Sequence, residues 1–248
     1  MLAPFKLGIF DLDGTLFRGE EPIPGAAQVL QSLRERGIII RYLTNNSSQT
    51  REVYAAKLTR LGFQATPEEC YSSAVGTAAH LNSEGLTSAF VVGEAGLKAT
   101  LREAGVDVES PNPAAVVVGI CKSFDYDLMN QAMQFIRSGS RFVATNTDAT
   151  YPVEGGRFIP GSGSIVAAVQ TCSETEPFVV GKPNPYLVEL ILRDAGIEAK
   201  DTLVIGDRMD TDIEAGKRAG CPTLLVLTGA LTSAPDGQDW LPSVAELG

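Results

Sequence analysis

The pentapeptide Asp11-Leu12-Asp13-Gly14-Thr15 stands directly behind the apolar run Phe5-Lys6-Leu7-Gly8-Ile9-Phe10. Two carboxylates two positions apart, at the end of a buried strand, oppose one another. At a separation of about 4 Å and an effective dielectric of about 20 the repulsion is roughly 4 kcal/mol, before any desolvation. A divalent cation would offset it, because hard cations take carboxylate oxygens. The alternative is an ordinary strand end closed by an Asp-Gly turn. The rest of the chain bears on that choice.

Three further apolar segments end in chemistry-bearing loops. Ile38-Ile39-Ile40-Arg41-Tyr42-Leu43 runs into Thr44-Asn45-Asn46-Ser47-Ser48, and Phe178-Val179-Val180 into Gly181-Lys182-Pro183. Thr202-Leu203-Val204-Ile205 runs into Gly206-Asp207-Arg208-Met209-Asp210-Thr211-Asp212. Each segment is short, β-rich and followed by a helical pattern, as in strand–loop–helix units of a parallel sheet. In such sheets ligands gather outside the carboxyl ends of the strands, so all four loops are expected to converge on one crevice. Hydroxyl and amide donors, one lysine and several aspartates together describe a site for phosphate plus a metal.

The four pieces resemble, in order, the four motifs of the haloacid dehalogenase superfamily, and the resemblance spans about Leu7 to Leu227. Leu43-Thr44-Asn45-Asn46-Ser47, Thr145-Asn146-Thr147-Asp148, Pro160-Gly161-Ser162-Gly163, Gly181-Lys182-Pro183 and Gly206-Asp207-Arg208 are similar to the NagD-like (type IIA) phosphatases. That group includes 4-nitrophenyl-, pyridoxal- and phosphoglycolate phosphatases. The resemblance implies a Mg²⁺-dependent phosphatase acting through an aspartyl-phosphate. Asp11 would be the nucleophile, and Asp13 the acid that protonates the leaving group and then activates water. Thr15 would brace Asp13. Thr44, Asn45, Asn46 and Lys182 would hold the phosphoryl group. Mg²⁺ would be ligated by Asp11, the carbonyl of Asp13 and Asp207, with Asp212 supporting the set from behind. Asp210 reads as a solvated helix-cap residue.

The second aspartate favours phosphoester hydrolysis over dehalogenation, because a halide leaves without a proton. Transfer to a second alcohol, as in mutases, stays open, as does a non-catalytic phosphoester-binding module.

Composition agrees with a globular enzyme. The chain has 248 residues, 44% of them hydrophobic, and a net charge of −10, which argues against nucleic acid and anionic membranes as partners. No apolar run approaches the roughly 20 residues that span a bilayer, and no signal peptide is expected. Cys70, Cys121, Cys172 and Cys221 form no close pair and read as free thiols of a cytoplasmic protein. The lone His80 reads as an ordinary helix residue.

Thr44 and Lys182 are 138 positions apart, far more than one crossover needs. The expected fold is therefore α/β: a Rossmann-like parallel core with helices on both faces, from residues 1–79 and 178–248, and an inserted α/β cap over residues 80–177. Strands are expected at Ala89–Val92, Ala115–Val118 and Arg141–Ala144, with helices between. The tail from Thr232 reads as a loop with a short helical end. Within the cap, Asn146, Asp148 and Tyr151 match the family's substrate-facing loop, and Tyr151 reads equally as a stacking surface or as cap core. Gly155-Gly156-Arg157-Phe158 reads as a β-turn beside it. The partner is expected to be a small phosphorylated metabolite, and analogy with the family adds a homodimer formed through the cap.

Overall fold

The computed structural model of the chain describes residues 4–153 and 157–247. They form two compact units. One comprises the described residues of Met1–Thr44, Arg51–Tyr71 and Lys182–Gly248; the other comprises Asn45–Thr50 and Ser72–Gly181.

The first unit is built on a six-stranded sheet in the order Trp240–Leu241, Thr223–Val226, Thr202–Gly206, Leu7–Asp11, Ile39–Thr44, Cys70–Ser72. Every pairing from Trp240–Leu241 across to Ile39–Thr44 is parallel. Leu7–Asp11 lies inside the sheet, which accounts for its unbroken apolar run: a strand covered on both faces has no side for a polar residue. Phe10, Ile40, Tyr42, Leu203 and Ile205 pack in one cluster with Leu30 and Leu33 of the helix Ala26–Glu35 and Leu58 of the helix Arg51–Arg60. Alternate positions face the other way. Val204 lies so near Gly216, in the helix Glu214–Arg218, that a Cβ on that glycine would come within 3.0 Å of it. Helices therefore cover both faces, and the core is Rossmann-like. The tail is more ordered than the sequence suggests: Trp240–Leu241 extends the sheet before the 3₁₀ turn Val244–Glu246.

The second unit holds a four-stranded parallel sheet in the order Phe178–Val179, Arg141–Ala144, Ala115–Val118, Ala89–Val92. The helices Tyr126–Arg137 and Ser162–Ser173 bury Ala132, Ile136, Ile165, Val166 and Val169 against Val116, Val118, Phe142 and Ala144. Asp125 caps the first of these by accepting the Leu128 N–H at 2.9 Å, a contact worth about 1 kcal/mol. Thr150–Val153 and Arg157–Pro160 form an antiparallel hairpin. Gly155 and Gly156 of the expected turn lie outside the described residues.

Phe178-Val179 corrects one expectation. It does not join the first unit's sheet but pairs with Val143-Ala144 at the edge of the second. Two paired residues carry no pattern that tells one sheet from another, so sequence alone could not assign them. The expected cap limits, 80 and 177, fall inside the second unit, which begins its long segment at Ser72 and ends it at Gly181. A limit at 80 would cut the helix Ser73–Ser83. His80, on that helix, is buried and stacks on Phe178 with ring centroids 4.0 Å apart. No helix among the described residues is long and apolar enough to cross a membrane.

Candidate active site

Parallel strands deliver their last residues to one edge of a sheet. Asp11 ends the strand Leu7–Asp11 and is in register with Leu43; Thr44, one residue further, closes the neighbouring strand and is buried. On the other side Thr202–Gly206 ends immediately before Asp207. Asp212 returns to the same place on a single π-helical turn, Met209–Ile213, folded tightly over the strand end. A Cβ on Gly206 would overlap the Asp212 carboxylate, so the residue type at 206 is set by this close approach.

Lys182 binds the group together. Its Nζ lies 2.5 Å from Asp11 Oδ1 and 2.6 Å from Asp212 Oδ1, and the side chain is almost fully buried. Asp212 Oδ2 accepts the Arg208 N–H at 3.0 Å, so both its oxygens are engaged. Asp210 is exposed and held by the Arg208 guanidinium at 2.8 and 3.1 Å, outside this group.

Carboxylate oxygens of Asp11, Asp207 and Asp212 all lie within 4.8 Å of one another. Three acids thus face one ammonium, and the electrostatics show the imbalance. Burial, then Asp212, pushes the Asp11 carboxyl well above the usual range, against the pull of Lys182. Burial and Asp212 likewise raise Asp207 to about 6, opposed by the Ala230 N–H and Lys182. Burial alone would lower Lys182, but Asp11 and Asp212 outweigh it and keep the ammonium charged. An all-oxygen donor set with surplus negative charge suits a hard divalent cation. Asp11 and Asp207 are the carboxylates available to hold one.

Asp13 is different. The residue is open to solvent, yet the protein around its carboxyl still desolvates it and raises its pKa, against Lys57 and Lys182 and with Glu20 adding to the rise. Its carboxylate is outside the three-acid group. The raised pKa suits a group that must give and take a proton. Thr15 does not brace it: Thr15 Oγ1 is buried and makes no hydrogen bond among the described residues.

In the second unit, Asn45 is locked in place. Its carbonyl accepts from Ser73 Oγ at 2.5 Å and Asn146 Nδ2 at 2.7 Å, and its own amide donates to Asp148 Oδ2 at 3.0 Å. Asn146 is buried, and its Oδ1 accepts the Asp148 N–H at 3.1 Å, so both ends of its side chain are used inside the unit. It organises the Asn45 and Asp148 loops. Asn46 is exposed and accepts the Ser48 N–H at 2.9 Å. Tyr151 is half-buried on the hairpin opposite Ile159, and Arg157 is exposed.

Sequence reasoning missed Thr228-Gly229-Ala230. The Ala230 N–H donates to Asp207 Oδ2 at 2.7 Å. The available signal was a Thr-Gly pair just beyond the apolar run Thr223–Val226, at the same sheet edge as the acids.

Comparisons with known proteins give the family. A family model described as haloacid dehalogenase-like hydrolase matches residues 8–107, and one described as HAD-hydrolase-like matches residues 179–245. The chain is 36% identical over 245 residues to ribonucleotide monophosphatase NagD of Escherichia coli K12, covering 96% of each chain. It is 39% identical over 222 residues to dihydroxyacetone phosphatase of Corynebacterium glutamicum, covering 88% of this chain and 80% of the relative. Among solved structures, p-nitrophenyl phosphatase from Archaeoglobus fulgidus superposes with a TM-score of 0.92 at 31% identity, covering 99% and 98% of the two chains. The chain belongs to the haloacid dehalogenase superfamily, among the NagD-like phosphatases that hydrolyse phosphoric monoesters.

Proposed function

We propose that the protein hydrolyses small-molecule phosphate monoesters through a phosphorylated Asp11, with Mg²⁺ as cofactor. The observation that carries this reading is the set of three carboxylates, Asp11, Asp207 and Asp212, arranged around the buried Lys182 ammonium. Mg²⁺, held by Asp11, Asp207 and the Asp13 carbonyl, would supply positive charge to the transferring phosphoryl group.

In the first step Asp11 attacks phosphorus through a carboxylate oxygen. A bond from Asp11 to phosphorus forms as the bond to the leaving alkoxide breaks, and Asp13 gives that alkoxide its proton. In the second step Asp13 takes a proton from water, the resulting oxygen attacks phosphorus, and Asp11 is released with inorganic phosphate. Lys182 keeps Asp11 oriented and offsets negative charge on the phosphoryl oxygens. Thr44 adds a hydroxyl at the same strand edge, and we assign Asn45 and Asn46, the next two residues of the chain, to phosphate binding. Positioning and charge stabilisation of this kind dominate phosphoryl transfer.

Asn146, Asp148 and Tyr151 are assigned to substrate discrimination, Asn146 through the loops it holds. The relatives' names range over a nucleotide, a triose phosphate and an aryl phosphate, which supports a common chemistry with variable leaving groups. The acidic balance supports a small metabolite rather than nucleic acid or a membrane as partner. Four free cysteines favour the cytoplasm, and pairing of two copies through the second unit completes the reading.

The test is phosphate release from 4-nitrophenyl phosphate and a panel of small phosphoesters, with Mg²⁺, with EDTA, and with Asp11→Asn beside the wild type. Mg²⁺-dependent release that disappears in the variant is the expected result. Turnover that survives EDTA, or survives loss of Asp11, overturns the mechanism.

A further inference from the structure

Asp207 reaches the site through a slot made of backbone. One wall is Gly14: a Cβ there would stand 2.5 Å from Asp207 Oδ2 and 3.0 Å from Gly229 Cα. The other wall is Gly229, where a Cβ would overlap Asp207 Oδ2 outright. Gly14 has a φ of +85°, so its residue type answers to conformation as well as space. Gly229 is not among the glycines with positive φ. At Gly229 the demand is space alone, and the space is filled by a carboxylate.

The two walls are joined. Thr228 Oγ1 donates to the Gly14 carbonyl at 2.6 Å, and Arg18 Nε donates to the Thr228 carbonyl, also at 2.6 Å. At the far end of the slot the Ala230 N–H meets Asp207 Oδ2 at 2.7 Å. One oxygen of Asp207 is therefore gripped by backbone on the side of residues 228–230. A carboxylate gripped at one oxygen has one orientation left for the other.

We propose that Thr228, Gly229 and Ala230 are positioning residues for metal binding: they hold Asp207 Oδ2 so that Oδ1 is presented to the cation. The inference rests on the Mg²⁺ reading above and extends it to a loop that carries none of the family's motif residues. A side chain at position 229 would push either the carboxylate or the loop, and the Ala230 hydrogen bond would go with it. Loss of the Thr228 hydroxyl would leave Gly229 unobstructed but free the slot to widen.

The experiment follows Mg²⁺ binding to the resting protein, by calorimetry and by the Mg²⁺-induced rise in melting temperature, with no substrate present. Gly229→Ala should raise the Mg²⁺ concentration needed for half of that rise by about 10–100-fold, the range found when groups that orient a metal ligand are lost. Thr228→Val should move it in the same direction, and Thr228→Ser, which restores the hydroxyl, should return it toward the wild type. A merely structural loop would lower the metal-free melting temperature in both variants and leave Mg²⁺ affinity unchanged, and that result overturns the inference. If Gly229→Ala does not fold, the Thr228 pair decides on the same criterion. A wild type whose melting temperature ignores Mg²⁺ sinks the metal reading itself; a wild type that responds, with variants that respond equally, sinks only the slot.

Discussion

Lys182 and Asp212 are 30 residues apart in the chain, yet their Nζ and Oδ1 atoms lie 2.6 Å apart with both side chains only 3% exposed. Lys182 makes a second contact of the same kind, at 2.5 Å, with Asp11. A buried ammonium shared by two acids is an organising element, and removing it strips both carboxylates of that counter-charge.

Lys182→Met should therefore cost about 3–5 kcal/mol of folding stability, the scale for stripping one partner from a buried ion pair. Urea denaturation in EDTA measures it, and turnover should vanish in parallel. A loss under about 1 kcal/mol would mean that the acids are already neutral in the folded state.

Asp11→Asn should behave in the opposite way. It removes a carboxylate whose ionised form burial and Asp212 disfavour. In EDTA the variant should melt at or above the wild-type temperature, while phosphatase activity falls by about 10⁴-fold or more, as when a nucleophile is deleted. A clear drop in melting temperature would contradict the surplus-charge account.

His80 offers a pH probe, because it is the chain's only histidine. Burial lowers its pKa from the ordinary 6.5; Arg141 adds to the shift and Glu84 opposes it. The stability linked to keeping the imidazole neutral is present above the unfolded value near 6.5 and is lost as pH falls through it. Its single imidazole NMR resonance should titrate below 6.5, and His80→Gln should remove the corresponding acid-side loss of stability. A midpoint at 6.5 would abolish this dependence, and one above 6.5 would reverse its sign.

Tyr151→Ala should alter substrate ranking more than Mg²⁺ dependence. If the ring stacks on aromatic leaving groups, the preference for aryl over alkyl phosphates should drop by about 2- to 10-fold in kcat/KM, the equivalent of about 0.5–1.5 kcal/mol. A uniform fall across the panel would assign Tyr151 to packing.

The acids and Lys182 were legible because their information is local: a carboxylate or lysine just beyond an apolar run states its own position at a sheet edge. Phe178-Val179 misled because sheet membership is settled by partners far along the chain, here Val143 and Ala144. Thr15 reads in the sequence as a brace for Asp13, but its buried hydroxyl has no hydrogen-bond partner among the described residues, and a residue type alone does not say what its hydroxyl meets. Asn146 looked like a ligand-facing amide and is instead spent on Asn45 and Asp148, because burial decides what an amide bonds to. Gly229 offered only the weak signal of a Thr-Gly pair behind an apolar run, since a glycine needed for space looks the same in sequence as one needed for a turn.

Trp240 is the chain's sole tryptophan, and it sits half-exposed on the two-residue strand that ends the first sheet. Its emission begins from an indole already in contact with water, so complete unfolding changes that environment little. The small change left for intrinsic fluorescence to register is peeling of the terminal edge away from Leu225. A melt followed at this wavelength should precede one followed by circular dichroism, and the gap between the two curves would measure how independently the carboxy-terminal strand detaches.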